Sequence, residues 1–194
     1  MEIPAPPFLS RAAPDNTQSF QSSFHKKVEV HDYRFQRHMT LEDLLEIENI
    51  KQLRIKYSHF FDGKRIDELS DLFTEDAVCE FGSDYGGDWI GKESIKTNFQ
   101  SYADREGLPF GVLHAVTNPL IELKGKSFAH GRWYLHDLLT KEGAEKTPIL
   151  YGIYDDVYKK LFGKWLIYRT RIDFLWPKRD VGEPRIFEGD NYHD

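Results

Sequence analysis

The hydrophobic pattern of this 194-residue chain changes period near its middle, and that change fixes the kind of fold available to it. Upstream, Thr40 followed by Glu42 and Asp43 reads as a helix N-cap with acids in the first turn. Apolar residues then recur at Leu41, Leu44, Leu45, Ile47, Ile50, Leu53, Ile55 and Tyr57, predicting one long amphipathic helix that ends near Asp62-Gly63. A short second helix would turn Ile66, Leu69, Leu72 and Phe73 inward, and residues 91–102 predict a third helix with Ile95, Phe99 and Tyr102 at helical spacing. Between them, Ala77 to Phe81 reads as a strand and Ser83 to Asp88 as a turn. Downstream, residues 111–123, 127–139, 148–158 and 164–176 are rich in β-branched and aromatic residues and are separated by polar or Gly-containing breaks. Helices first and a strand meander after them define an α+β domain, a curved antiparallel sheet wrapped around three N-terminal helices.

The expected boundaries are a polar N-terminal arm or tail over residues 1–39, the domain over 40–177 and a polar C-terminal tail over 178–194. The arm holds Pro4, Pro6, Pro7 and Pro14 and then a Ser/Gln-rich stretch, which buries too little to order itself. Its His25, His31 and His38 are spaced for neither a helical metal pair nor a short chelating loop. With 32 acidic against 26 basic residues, the net charge of −6 argues against tracking nucleic-acid phosphates or an anionic membrane surface. A lone cysteine, Cys79, allows no intramolecular disulfide or cysteine-built metal site, and no run approaches a membrane span. These features predict a cytoplasmic protein whose partner is a hydrophobic small molecule. No phosphate loop, Walker motif or nucleophile elbow occurs.

Strand parity picks out the polar residues worth weighing. His114 shares a face with Val112, Val116 and Asn118, and Asp137 falls with Gly131, Trp133 and Leu135, where a carboxylate is costly unless paired or used. Tyr57 and Asp62 close the first helix, but five residues along a straight helix separate them by about 140°, so both face one cavity only if the helix breaks at Asp62-Gly63. Plainer readings exist for each: Tyr57 as a wall residue, Asp62-Gly63 as a helix-ending pair, and His114 as a bonded core histidine. Arg169 and Arg171 share a face and read as a solvated edge, and the adjacent Asp155 and Asp156 point to opposite faces. His114, His130 and His136 lie on two neighbouring strands, but His130 and His136 are 6 residues apart on one face, too far along a strand to chelate together.

Taken together, Tyr57-x4-Asp62-Gly, Asp67-Glu-Leu-x2-Leu-Phe-Thr-Glu-Asp-Ala77, Gly91-Lys-Glu-Ser-Ile95, His114-x3-Asn118, Gly131-Arg-Trp-Tyr-Leu-x-Asp137 and Gly163-Lys-Trp165 resemble the SnoaL-like members of the NTF2-like superfamily. The likeness covers residues 40–177 and is nearest to the bacterial bile-acid 7α-dehydratases, with scytalone dehydratases, ketosteroid isomerases and polyketide cyclases as further relatives. It implies a cone-shaped barrel with a deep apolar pocket, acid-base catalysis and no cofactor or metal. On the matching positions, Tyr57, Asp62, His114 and Asp137 would be catalytic, and Phe61, Asn118, Trp133 and Arg171 would contact substrate. The dehydratases' last-strand arginine falls near Phe174 in this sequence, so Arg169 or Arg171 would take its place only in a different register. The implied reaction is loss of water from a polycyclic or steroid-like hydroxy-ketone. His114, oriented by Asp62, would take a proton, Tyr57 would donate to the enolate oxygen, and Asp137 would protonate the departing hydroxyl. Isomerisation or cyclisation in the same pocket, and a non-catalytic binding or assembly module, are the alternatives. The aromatic last strands predict a homo-oligomer, and the likeness to the dehydratases implies a trimer before a dimer.

Overall fold

The computed structural model describes residues 39–104, 111–143, 145, 147–183 and 185; apart from Met39, the expected arm lies outside them. Helix α1 (Leu41–Asp62) starts at a reciprocal cap: Asp43 N donates to Thr40 Oγ1 at 3.1 Å, and Thr40 N donates to Asp43 Oδ2 at 2.9 Å. The apolar stripe is buried only from Ile50 onward, through Leu53 and Tyr57, whereas Leu41, Leu44 and Leu45 are exposed. Glu46 anchors the intervening turn, accepting from Lys160 Nζ at 2.6 Å and Trp165 Nε1 at 2.5 Å.

Helix α2 (Ile66–Ser70) is shorter than its periodicity predicts, because Phe73 opens strand β1 (Phe73–Glu80) instead of closing the helix. Ile167 N donates to Leu72 O at 2.8 Å, and pairing with the last strand overrides the local helical spacing. After a 3₁₀ turn (Ser83–Tyr85) and the two-residue strand β2 (Trp89–Ile90) comes helix α3 (Lys92–Ala103). The long strands β3 (Val112–Lys124), β4 (Phe128–Leu139), β5 (Leu150–Leu161) and β6 (Lys164–Trp176) follow in the predicted order.

The strands form one sheet in the order β2-β1-β6-β5-β4-β3. All neighbours are antiparallel except β1 and β6, which run parallel because the chain crosses from the helical layer back to the sheet's far side. β2 and β3 are its edges and do not meet, so the expected barrel is an open cone. Its inner face packs Trp133, Leu135, Tyr154, Tyr158, Trp165 and Ile167 against Ile50, Leu53, Tyr57, Ile95 and Phe99.

A Cβ on Gly131 would lie 2.7 Å from Tyr158 Cε2 and 2.8 Å from Ile121 Cδ1, so this glycine lets the Tyr158 ring cross β4. Gly131→Val is therefore expected to destabilise the fold by about 1–3 kcal/mol, read as a lower urea midpoint.

Asp155 and Asp156 project to opposite faces, and both are fully buried. On the outer face, Asp155 accepts from Arg185 Nε at 2.7 Å and Asp173 from Arg171 Nε at 2.8 Å, while Glu80 pairs with Arg169 at 2.8 Å. The chain past β6 folds back to reach them: Phe174 and Asp180 form a two-way bridge, and Arg185 Nη2 donates to Glu80 Oε2 at 2.7 Å. No helix among the described residues is long and apolar enough to cross a membrane.

Candidate functional site

The cone encloses a narrow cavity of about 50 Å³, lined by Tyr57 and Phe61 of α1, Phe81, Tyr85, Trp89, Phe99 and Tyr102 from the segment around α3, and His114, Leu135, Asp137, Tyr154 and Ile172 from the sheet. Eight aromatic side chains and two aliphatic ones leave His114 and Asp137 as its ionisable residues apart from the tyrosines. A roomier, more polar cleft of about 190 Å³ lies beyond Phe81 and Ile172, between β6 and the returning chain. Glu80, Arg171 and Asp173 in its walls are already engaged in the outer-face ion pairs, and none of Tyr57, Asp62, His114 or Asp137 reaches it.

His114 and Asp137 sit directly opposite each other on β3 and β4, which puts their side chains on one face of the ladder. Asp62, the last residue of α1, reaches across to β3. Its Oδ2 accepts from the His114 backbone N at 3.0 Å, and its Oδ1 lies 2.5 Å from His114 Nδ1. A carboxylate on Nδ1 holds the ring proton there and leaves Nε2 with its lone pair directed at the cavity. Nε2 lies 3.8 Å from Asp137 Oδ2. Phe61 packs on the imidazole with ring centroids 4.9 Å apart. One imidazole thus stands between two carboxylates of unequal environment.

Burial drives that inequality. It pushes the Asp137 carboxyl above the usual carboxylate range, His114 pulls it partly back, and Asp62 adds to the rise. Asp137 Oδ1 is buried and meets no hydrogen-bond partner among the described residues. A group whose folded-state pKa is raised favours the fold in its protonated form, and that contribution is lost as pH rises through the raised value. Asp137→Asn is therefore expected to be more stable than the parent at neutral pH by about 0.5–2 kcal/mol, the margin closing toward pH 4. Urea melts at several pH values would read this, and a margin independent of pH would count against it.

Tyr57 is fully buried, and burial holds its phenol well above the ordinary value, so it is a hydrogen-bond donor at neutral pH. Tyr154 is raised by burial too, and its ring meets that of Tyr57 edge-on with centroids 5.9 Å apart. The helix ends at Asp62 with Gly63 as its C-cap, where the 140° separation required a break, yet Asp62 does not itself line the cavity. Tyr57 and Phe61, one turn apart, face the cavity, and Asp62 reaches it indirectly through His114.

Three of the expected substrate contacts lie elsewhere. Asn118 sits at a bulge where the β3 register shifts, with φ 52°, and its side chain leaves the face of His114 for solvent. Trp133 is packed beneath the cavity, its Nε1 donating to Tyr158 OH at 3.0 Å. Arg171 is on the outer face with Asp173, because β6 directs Ile172 inward in its place. Near the position of the missing arginine, Phe174 stacks on Tyr85 at 14° between ring planes. Phe61 does line the cavity, together with Tyr154, Trp89 and Tyr102, which parity alone did not single out. No group of three His, Cys, Asp or Glu side chains among the described residues is placed to hold a metal.

A helix-filled open cone with an imidazole and carboxyls against an aromatic cavity defines a class of small α+β proteins of NTF2-like, or cystatin-like, fold. Residues 42–171 match the SnoaL-like domain, and the chain belongs to that family. Among solved structures, it is similar to a protein of unknown function from Mycobacterium tuberculosis (25% identity, TM-score 0.60, covering 69% of this chain and 73% of that one). It is also similar in fold to a candidate scytalone dehydratase from Novosphingobium aromaticivorans (21%, TM-score 0.59, 78% and 97%). A candidate aromatic ring hydroxylase from the same organism is comparably alike (23%, TM-score 0.58, 69% and 92%).

Proposed function

We propose that this protein is a cofactor-independent lyase that removes water from a neutral, hydrophobic hydroxy-ketone. The observation that carries the reading is the Asp62–His114–Asp137 array at an aromatic cavity, which supplies a fixed base and a carboxyl whose environment favours its acid form. His114 Nε2 takes the proton on carbon next to the carbonyl, and Tyr57 donates to the oxygen that gains charge. Asp137 gives its proton to the departing hydroxyl, so the products are an enone and water. Base and acid project from one face of the sheet, which favours loss of hydrogen and hydroxyl from the same side of the substrate.

The size of the cavity bears on the substrate. At about 50 Å³ it is well below the roughly 300–1,000 Å³ of drug-sized sites, so a polycyclic or steroid-like substrate enters only if the half-buried Tyr85 and Tyr102 swing aside, and smaller ring systems need the least opening. A screen of one- and two-ring hydroxy-ketones, followed by the absorbance of the conjugated product, tests the assignment. A product that keeps its hydroxyl but has a moved double bond would replace the lyase reading with an isomerase.

The protein is further proposed to act in the cytoplasm, in keeping with its single buried thiol, and to self-associate. Leu113, Leu120, Tyr134, Tyr151 and Trp176 are exposed on the sheet face that points away from the cavity, the area a second copy would cover. Light scattering is expected to give a trimer or dimer mass, and a monomer at micromolar concentration would refute the association.

A further inference from the structure

Beneath the cavity floor lies a charge that the reaction above does not use. Arg54 of α1 is fully buried, and its guanidinium carbon stands 3.4 Å from the centroid of the Tyr154 ring and 4.1 Å from that of Tyr57. None of its three nitrogens makes a hydrogen bond among the described residues. Its counter-charge is Asp156, with Oδ2 at 3.5 Å from Nε. Tyr158 OH donates to that same oxygen at 2.6 Å, and Trp133 Nε1 donates to Tyr158 OH at 3.0 Å. A buried cation without hydrogen bonds is expensive, and a methionine of similar length would fill the space at less cost. What the guanidinium does have is the faces of two rings, both of which line the cavity.

We infer that Arg54 is a positioning residue: it clamps Tyr57 and Tyr154 as a paired phenol donor and orients the buried ion pair with its positive end toward the oxygen that becomes negative in the cavity. The inference rests on the proton-transfer reading of the site. The stack fixes both rings against rotation, which removes the reorganisation that a free phenol needs before it donates. The Arg54–Asp156 pair adds a fixed dipole in a water-excluded floor, where such a dipole acts with little screening. Asp156 and Tyr158 hold the other end of the pair and do not touch a ligand. The acceptor that fits this floor is an enolate or a phenolate.

The test uses 4-nitrophenol as an oxyanion mimic on the full chain, and it requires no turnover. Binding is titrated at several pH values, with the visible absorbance of the phenolate reporting its ionisation when bound. The parent protein is expected to prefer phenolate over phenol by a ratio at least tenfold higher than that of Arg54→Met/Asp156→Asn, which removes both charges and leaves an acceptor for Tyr158. Arg54→Lys is expected to fall between them, since an ammonium keeps the charge but not the planar stack. In a Tyr57→Phe background the same double substitution is expected to change the ratio less than in the parent, because one of the two donors it acts through is gone while Tyr154 and the dipole remain. An unchanged ratio in the folded double variant overturns the inference, as does a parent protein that binds neither form. The proton-transfer reading fails separately, by loss of turnover effects at Asp62 and His114.

Discussion

Asp62→Asn is expected to lower turnover of the hydroxy-ketone substrate by roughly 10³–10⁴-fold without unfolding the protein. Asp62 makes two contacts with one residue, accepting from the backbone N of His114 and facing its Nδ1 at 2.5 Å. An asparagine keeps one acceptor oxygen but can present its NH₂ to Nδ1, and that reverses the tautomer, so that Nε2 carries the proton and is no longer a base. His114→Ala removes the base outright and is expected to cost about 10²–10⁴-fold. Because the two side chains act as one unit, the double variant should be no slower than the worse single variant. Circular dichroism and urea melts would establish that each variant is folded before rates are compared. Full turnover in folded His114→Ala would exclude His114 as the base, full turnover in folded Asp62→Asn would exclude Asp62 as its orienter, and additive losses would mean that Asp62 acts on something other than His114.

Local rules carried the sequence a long way where they were uncontested. The Thr40 cap, the three helices and the four long strands follow from capping chemistry and period, and parity puts His114 and Asp137 each on the apolar side of its strand, whereas their pairing across the ladder comes from the register. Parity failed at Asn118 because it assumes an unbroken ladder, and a bulge leaves no mark in the spacing of apolar residues. Phe73 fitted the helical spacing of Ile66 and Leu69, and only its non-local pairing with β6 makes it a strand residue. Arg54 went unnoticed although the signal was present. With Ile50, Leu53 and Tyr57 it falls on the buried stripe of α1, the same argument that raised Asp137 out of its strand. A charged residue inside an apolar stripe is as informative on a helix as on a strand. The inward ring positions of Tyr154, Trp89 and Tyr102 needed the sheet's curvature and the docking of α3, which no local pattern encodes.

Arg54→Met alone is expected to destabilise the protein by about 3–5 kcal/mol, among the largest effects of any single substitution in the described domain. The cost does not come from a lost hydrogen bond, since the guanidinium makes none among the described residues. It comes from Asp156, which is fully buried and would lose its counter-charge, leaving the Tyr158 hydroxyl as its hydrogen-bond partner among the described residues. Adding Asp156→Asn removes that charge while preserving an acceptor for Tyr158, and methionine packs well against the two tyrosine rings. The double variant is therefore expected to recover most of the loss, giving a coupling free energy of about 2–4 kcal/mol in a double-mutant cycle of urea midpoints. If the single variant were as stable as the parent, Asp156 would not depend on Arg54 for its charge, and the ion pair beneath the cavity would have no energetic reality. If the double variant stayed as unstable as the single one, the stack on Tyr57 and Tyr154 would be what holds the floor together. Recovery of stability with loss of phenolate preference would separate the two roles of Arg54, since a neutral floor can support the fold but cannot orient a donor pair toward a developing negative charge.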